Sequence, residues 1–189
     1  MAIIGTVFAR GGSKGIPKKN LSKINGLSLI KIALKSLIKS SVCKEIYLCS
    51  DDDQILSESN SMPIEIFKRN KINCGDNSSE IDAWREFAGY LMTAKKYNEK
   101  DLLLIAPCTS PLRKVETLVG IIKELNRSPS ADGIICIKRS NVLPDFNLLK
   151  KDKDNFLNIY INGKRKINRQ NSTPAWEMTT IAYCYKLGS

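Results

Sequence analysis

The sequence predicts an α/β fold: a mostly parallel sheet with helices on both faces, plus a small β-hairpin arm. Three observations point there. Short apolar runs alternate with segments whose apolar residues recur at helical spacing. The runs are apolar throughout, as strands covered on both faces are. Turn-forming or polar sequence bounds each run, and none reaches membrane-spanning length.

Residues 2–8 form an apolar run bounded by Gly-rich sequence and read as a buried strand. Leu29, Ile30, Ala33, Leu34, Leu37 and Ile38 share a helical face. Residues 45–49 read as a strand. Residues 52–58 read as a short helix with acidic residues where the N-terminal dipole favours them. A strand over 64–67 precedes a helix over 79–97, with Ile81, Trp84, Phe87, Ala88 and Leu91 on one side. Then come a strand (102–106), a helix (115–125) and a strand (133–138). Residues 139–170 differ in character. They carry Asn162-Gly163 between two strand-like pieces, a pair that favours a type I′ hairpin turn. They read as an arm inserted into a single domain spanning 1–189, and a last strand covers 180–185.

The chain of 189 residues can bury a full core without disulfides or metal. Histidine is absent. That excludes Ser-His-Asp and Cys-His catalysis, His-ligated zinc or haem, and His general bases. Thirty Lys and Arg against 19 Asp and Glu give a formal charge of +11. Such a field favours anionic partners, although scattered lysines are chiefly a solvated surface. The six cysteines include no Cys-x-x-Cys pair, and several sit in apolar runs, as reduced thiols acting as small hydrophobes do. The N-terminus has no basic region followed by a long apolar one, so a cytoplasmic, reducing compartment without membrane attachment is expected. The aromatic residues do not interleave with basic ones as a nucleic-acid stacking platform requires.

The richest segment follows the first strand: Ala9-Arg10-Gly11-Gly12-Ser13-Lys14-Gly15-Ile16-Pro17-Lys18-Lys19-Asn20-Leu21. Its glycines let backbone amides approach an anion, and its cations add charge and a bidentate fork for phosphate oxygens. Neither Gly-x-x-x-x-Gly-Lys-[Ser/Thr] nor Gly-x-Gly-x-x-Gly occurs in it. Its place after a strand's carboxyl end favours a phosphate loop over a lysine-rich turn.

This segment resembles the signature of the acylneuraminate cytidylyltransferases, the CMP-sialic acid synthetase family. Three further stretches agree in order: Cys49-Ser50-Asp51-Asp52, then Thr109-Ser110-Pro111-Leu112-Arg113, then Asn168-Arg169-Gln170 with Thr179-Thr180-Ile181-Ala182-Tyr183. The resemblance implies a Rossmann-like nucleotidyltransferase sheet that moves CMP from CTP to the anomeric hydroxyl of an acidic keto sugar, a sialic or related nonulosonic acid. Pyrophosphate leaves, and Mg²⁺ balances phosphate charge. Such chemistry is positioning plus electrostatics and needs no histidine. The resemblance further implies a homodimer using the 139–170 arm, and a place in cell-surface polysaccharide biosynthesis.

By the same resemblance, Arg10, Lys14 and Lys19 are the catalytic candidates. The nucleotide would be held by Ala9, Arg10, Gly11, Gly12, Ser13, Lys14, Asn20 and Arg69. The acceptor would meet Thr109, Ser110, Arg169 and Gln170. For Thr109 and Ser110 a plain turn is the alternative; for Arg69, a surface arginine; for Arg169 and Gln170, a polar loop. Two departures bear on the acceptor: Pro107-Cys108 stands where the family has Gln-Pro, and Met178-Thr179-Thr180 where it has Asn-Gly-Ala. The family's Mg²⁺-binding Asp-x-Asp would follow the last strand, beyond Ser189. The expectation is a truncated chain or one lacking that site. No metal ligand is assigned, and Asp51, Asp52 and Asp53 read as a solvated helix start. The alternatives are a nucleotide-binding relative without catalysis and a sugar nucleotidyltransferase of other specificity.

Overall fold

A computed structural model describes residues 1–12, 15–70, 79–161 and 168–189. In chain order the elements are β1 (Ile3–Phe8), β2 (Lys23–Ile24), β3 (Leu27–Ser28), α1 (Leu29–Ser40), β4 (Glu45–Ser50), α2 (Asp53–Leu56), β5 (Glu65–Lys68), α3 (Glu80–Thr93), β6 (Leu102–Ile105), α4 (Val115–Arg127), β7 (Gly133–Arg139), β8 (Leu149–Lys151), β9 (Leu157–Ile159) and β10 (Trp176–Lys186). The main sheet has the order β5-β4-β1-β6-β10-β7. β1 runs parallel to β4 and β6, and β4 parallel to β5. β10 is antiparallel to β6, with Tyr183 opposite Ile105.

Alternation along the strands divides the core into two layers. Val7, Leu48, Leu102, Leu104 and Cys184 pack with α1 and α4 through Leu34, Leu37, Leu118 and Ile122. Ile4, Tyr47, Leu103, Ile105 and Tyr183 pack with α3 through Phe87 and Leu91. Both faces are therefore helix-covered, as the apolar runs require. Phe87 centres an aromatic group, its ring centroid 5.0 Å from those of Tyr47 and Phe67.

The caps explain the helix limits. The Ser28 hydroxyl accepts from the Lys31 amide at the start of α1. Ser79 and Asp82 form a capping box on α3. α3 stops at Thr93, four residues short of the apolar pattern's end. Lys96 takes a left-handed φ of 61°, and the Tyr97 amide turns back to the Leu91 carbonyl. The expected helix over 52–58 is α2 followed by a 3-10 turn, Ser57–Ser59. A hairpin that the periodicity did not predict joins β2 to β3. Asn25 and Gly26 both have positive φ, as a type I′ turn needs.

The chain divides into two compact units, Met1–Cys136 with Thr180–Ser189, and Ile137–Thr179. Within the second, β8 and β9 form an antiparallel hairpin with Leu149 opposite Ile159. The Asp152 carboxylate organises its turn by accepting from the amides of Asp154 and Phe156. Residues 157–159, expected to lead into the Asn162-Gly163 turn, pair instead with upstream residues. Asn162-Gly163 itself lies outside the described residues.

Candidate active site

Because β1, β4, β5 and β6 are parallel, their carboxyl ends share one edge of the sheet. The antiparallel β10 brings Thr180 and Ile181 to that edge too, since β10 enters β6 from beyond Ile105. The loop after β1 is pinned at three points. The Ala9 amide donates to the Cys49 carbonyl over 3.0 Å. The Gly11 amide donates to Asp51 Oδ1 over 3.1 Å. Asn20 Nδ2 donates to the Arg10 carbonyl over 3.1 Å. A Cβ on Gly11 would lie 2.7 Å from Asp52 Oδ2, so the close approach of loop and acidic turn needs glycine there. Gly12 faces open space. Ser13 and Lys14 lie outside the described residues.

Asn20 is buried at 7 % exposure and starts its work inward, on the loop's own backbone. It sits in a 3-10 turn, Lys19–Leu21, entered through a left-handed Lys18. The acidic run is the expected helix start, and Asp53 stays exposed, but each of the three carboxylates also has a partner. Asp51 holds Gly11; Asp52 Oδ1 caps α2 by accepting from the amides of Gln54 and Ile55; Asp53 pairs with Lys68 over 2.7 Å. Arg69, directly after β5, is buried at 8 % exposure rather than on the surface, and its amide donates to the Ser50 carbonyl. Its charge reaches the Cys49 thiol, tending to lower a pKa that burial pushes up to about 12.

The loop after β6 is closed by Arg113. Its guanidinium donates to the Ile181 carbonyl, to the Pro107 carbonyl over 2.5 Å and to Ser36 Oγ over 3.3 Å. Ser36 gives its own proton to the Ala33 carbonyl, so it can accept from Arg113. All three partners are neutral oxygens, and burial brings the guanidinium pKa down to about 10. Thr109 is exposed, while Ser110 Oγ lies 3.2 Å from Thr180 Oγ1. Cys108 is buried, with its pKa raised to about 12 by desolvation; the charges of Arg113 and Lys19 both act on it in the opposite direction. Lys19 thus sits within electrostatic reach of the β6 loop.

The structure therefore brings Ala9–Gly12, Lys19, Asn20, Arg69, Thr109 and Ser110 to one edge of the first unit. Arg169–Asn171 form a 3-10 turn in the second unit, and Gln170 is exposed there. Sequence reasoning missed Asp51, Arg113 and Thr180. A groove of about 830 Å³ on the α3 side, lined by Trp84, Met92, Ile135 and Tyr185, contains none of these residues.

Among the described residues, no group of three or more His, Cys, Asp or Glu is placed to hold a metal, and no helix is long and apolar enough to cross a membrane. The five cysteines described are free thiols.

The sequence model of a family described as Cytidylyltransferase matches residues 3–177. N-acylneuraminate cytidylyltransferase A of Danio rerio is 26 % identical over 139 residues, covering 74 % of this chain and 31 % of its own. CMP-N,N'-diacetyllegionaminic acid synthase of Legionella pneumophila is 29 % identical over 174 residues, covering 86 % of this chain and 72 % of its own. The matched part is thus under a third of the zebrafish relative. The solved CMP:2-keto-3-deoxy-manno-octonic acid synthetase, complexed with CTP, superposes with a TM-score of 0.71 at 14 % identity, over 99 % of this chain and 75 % of that one.

Proposed function

We propose that this chain, which belongs to the cytidylyltransferase family, transfers CMP from CTP to the anomeric hydroxyl of an acidic keto sugar of the sialic or related nonulosonic type, releasing pyrophosphate. The observation that carries this reading is the loop Ala9–Gly12. It is a glycine-rich, cationic segment, fixed by three hydrogen bonds at the carboxyl edge of the sheet. A loop already ordered costs little to order again on binding, which supports a phosphate-binding role for this segment.

In this reading the acceptor hydroxyl attacks the α-phosphorus in line and pyrophosphate departs. Arg10, Lys14 and Lys19 stabilise the charge that builds on the phosphates. Asn20 acts through the Arg10 carbonyl, and Arg69, buried directly after β5, is the further candidate for contacting the nucleotide. Thr109 and Ser110 are the candidates for the acceptor in the first unit, and Arg169 and Gln170 those in the second. Among the described residues no group of three or more carboxylates is placed to hold Mg²⁺ by itself. The ion would travel with the triphosphate, whose oxygens are natural ligands for it.

The reading also carries a homodimer, a cytoplasmic site of action and a role in making cell-surface polysaccharide. The second unit supports the dimer. Its exposed apolar residues include Phe156 at 71 %, Leu157 at 61 %, Trp176 at 60 % and Met178 at 66 % exposure, more than an isolated hairpin can cover. A second copy of the chain would bury them. A compact monomer in sedimentation at micromolar concentration refutes that part.

The deciding experiment is pyrophosphate release from CTP and Mg²⁺ across a panel of nonulosonic and octulosonic acids, with CTP binding by calorimetry alongside. Turnover with one sugar fixes reaction and substrate together. CTP binding without pyrophosphate favours the non-catalytic alternative. Absence of CTP binding overturns the reading.

A further inference from the structure

The edge of the sheet holds a polar feature that the phosphate loop does not use. Ser110, from the loop after β6, and Thr180, within β10, face each other with their hydroxyl oxygens 3.2 Å apart. They come together because Arg113 clamps both sides of the gap. One donor goes to the Pro107 carbonyl, where the loop begins, and another to the Ile181 carbonyl, next to Thr180. The loop also closes on itself, the Arg113 amide donating to the Ser110 carbonyl over 3.2 Å. A long side chain with a planar fork thus sets the separation of two short ones.

Place and chemistry limit what the pair can bind. The phosphate loop follows β1, and β10 lies two positions away in the order β1-β6-β10. At about 4.8 Å between strands that is about 10 Å, the span of a sugar whose attacking oxygen sits at the α-phosphate. The pair has two protons. One is taken up by the hydroxyl–hydroxyl bond, leaving one donor and several lone pairs. That arrangement suits a group able both to donate and to accept, a hydroxyl or an amide. A carboxylate, which only accepts, would take the one donor and leave the lone pairs unmatched. Thr180 is exposed, so a ligand group would replace water there rather than displace protein.

We propose that Thr180, with Ser110, is a specificity-determining contact that hydrogen-bonds a hydroxyl or amide substituent of the acceptor sugar, and that Arg113 is the positioning residue that fixes the pair. This rests on the reading of the chain as a transferase of CMP to an acidic keto sugar.

The test uses the whole chain and the acceptor that gives the fastest pyrophosphate release in the panel. Thr180→Val removes the hydroxyl and keeps the shape. The expected result is an acceptor KM raised about five- to tenfold, the loss of one hydrogen bond, with CTP affinity by calorimetry unchanged. Ser110→Ala behaves alike, and the double variant loses less than the product of the two because they bond to each other. Against acceptor analogues lacking one hydroxyl or acyl group, the wild type discriminates at the position contacted, and Thr180→Val narrows that discrimination at this position alone. Arg113→Lys keeps the charge, loses the fork and raises the acceptor KM while leaving CTP affinity intact. Wild-type acceptor KM and selectivity in both hydroxyl variants overturn this proposal alone. A wild-type protein that binds no CTP and releases no pyrophosphate overturns the underlying reading, and this one falls with it.

Discussion

Replacing Gly11 with alanine tests the phosphate loop most directly. The new methyl would lie 2.7 Å from Asp52 Oδ2 and 3.0 Å from Asp52 Cβ, closer than side chains tolerate. Either the Asp52 carboxylate swings away or the loop lifts. The first weakens the cap on α2, where Asp52 Oδ1 accepts from Gln54 and Ile55, at a cost of about 1 kcal/mol. The second breaks the Gly11–Asp51 bond, which involves a carboxylate and is worth about 1.5–3 kcal/mol. The expected outcome is a stability loss of about 1–2 kcal/mol, or about 2–8 °C in Tm for a chain of this size. CTP affinity should fall at least about tenfold, because the amides then stand in the wrong place. Calorimetry and thermal unfolding read the two effects. Gly12→Ala is the stability control: nothing lies within 4 Å of its Cβ, so stability should hold within about 0.5 kcal/mol. Gly11→Ala binding CTP as tightly as wild type would show that the pinned geometry is irrelevant to phosphate binding.

Asp51 offers a companion test: Asp51→Asn keeps an oxygen for the Gly11 amide and should hold CTP affinity within about threefold, while Asp51→Ala should lose about tenfold. An asparagine variant as weak as alanine would mean that charge, not the hydrogen bond, matters. The buried thiols of Cys49, Cys108 and Cys184 have pKa values raised from 9.0 to about 12 by desolvation. Above pH 9 the unfolded chain therefore holds fewer protons than the folded one, so the stability these thiols contribute is full below about pH 9 and is lost between 9 and 12. Denaturant midpoints should drop across that window and drop less in a Cys49→Ala, Cys184→Ala variant; an identical drop in both proteins refutes the assignment to thiols.

The sheet was legible because buried strands are uniformly apolar, and no other element looks like Leu102–Ile105 or Ile46–Leu48. Helix limits were less so. The apolar pattern of α3 runs on through Tyr97, but a left-handed Lys96 ends it, and nothing in the residue types announces that turn. Asn-Gly occurs both at 162–163 and at Asn25-Gly26, and at the second the flanking strands are only two residues each, too short for an alternating pattern to mark the hairpin. In the site, glycine and cation content exposed the phosphate loop, whereas its supports were hidden. Asp51 looks like any helix-start acid until its contact with Gly11 is seen, forty residues away in sequence. Arg113 belongs to a motif whose hydroxyls drew attention, yet its partners at 36, 107 and 181 meet only in three dimensions. Thr180 gave a signal that could have been followed: a threonine at the start of a strand expected at the binding edge.

The position of β10 has a consequence for how the protein comes to be made. It lies between β6 and β7, both of which leave the ribosome before it. Until residue 176 and those after it emerge, one edge of Leu102–Ile105 has no strand beside it, and Gly133–Arg139 cannot take its final place. The sheet closes only through contacts remote in sequence, the slow kind of closure. The nascent chain therefore exposes that edge from the time β6 is made until β10 follows, and conditions that slow translation between the two should increase aggregation or chaperone dependence.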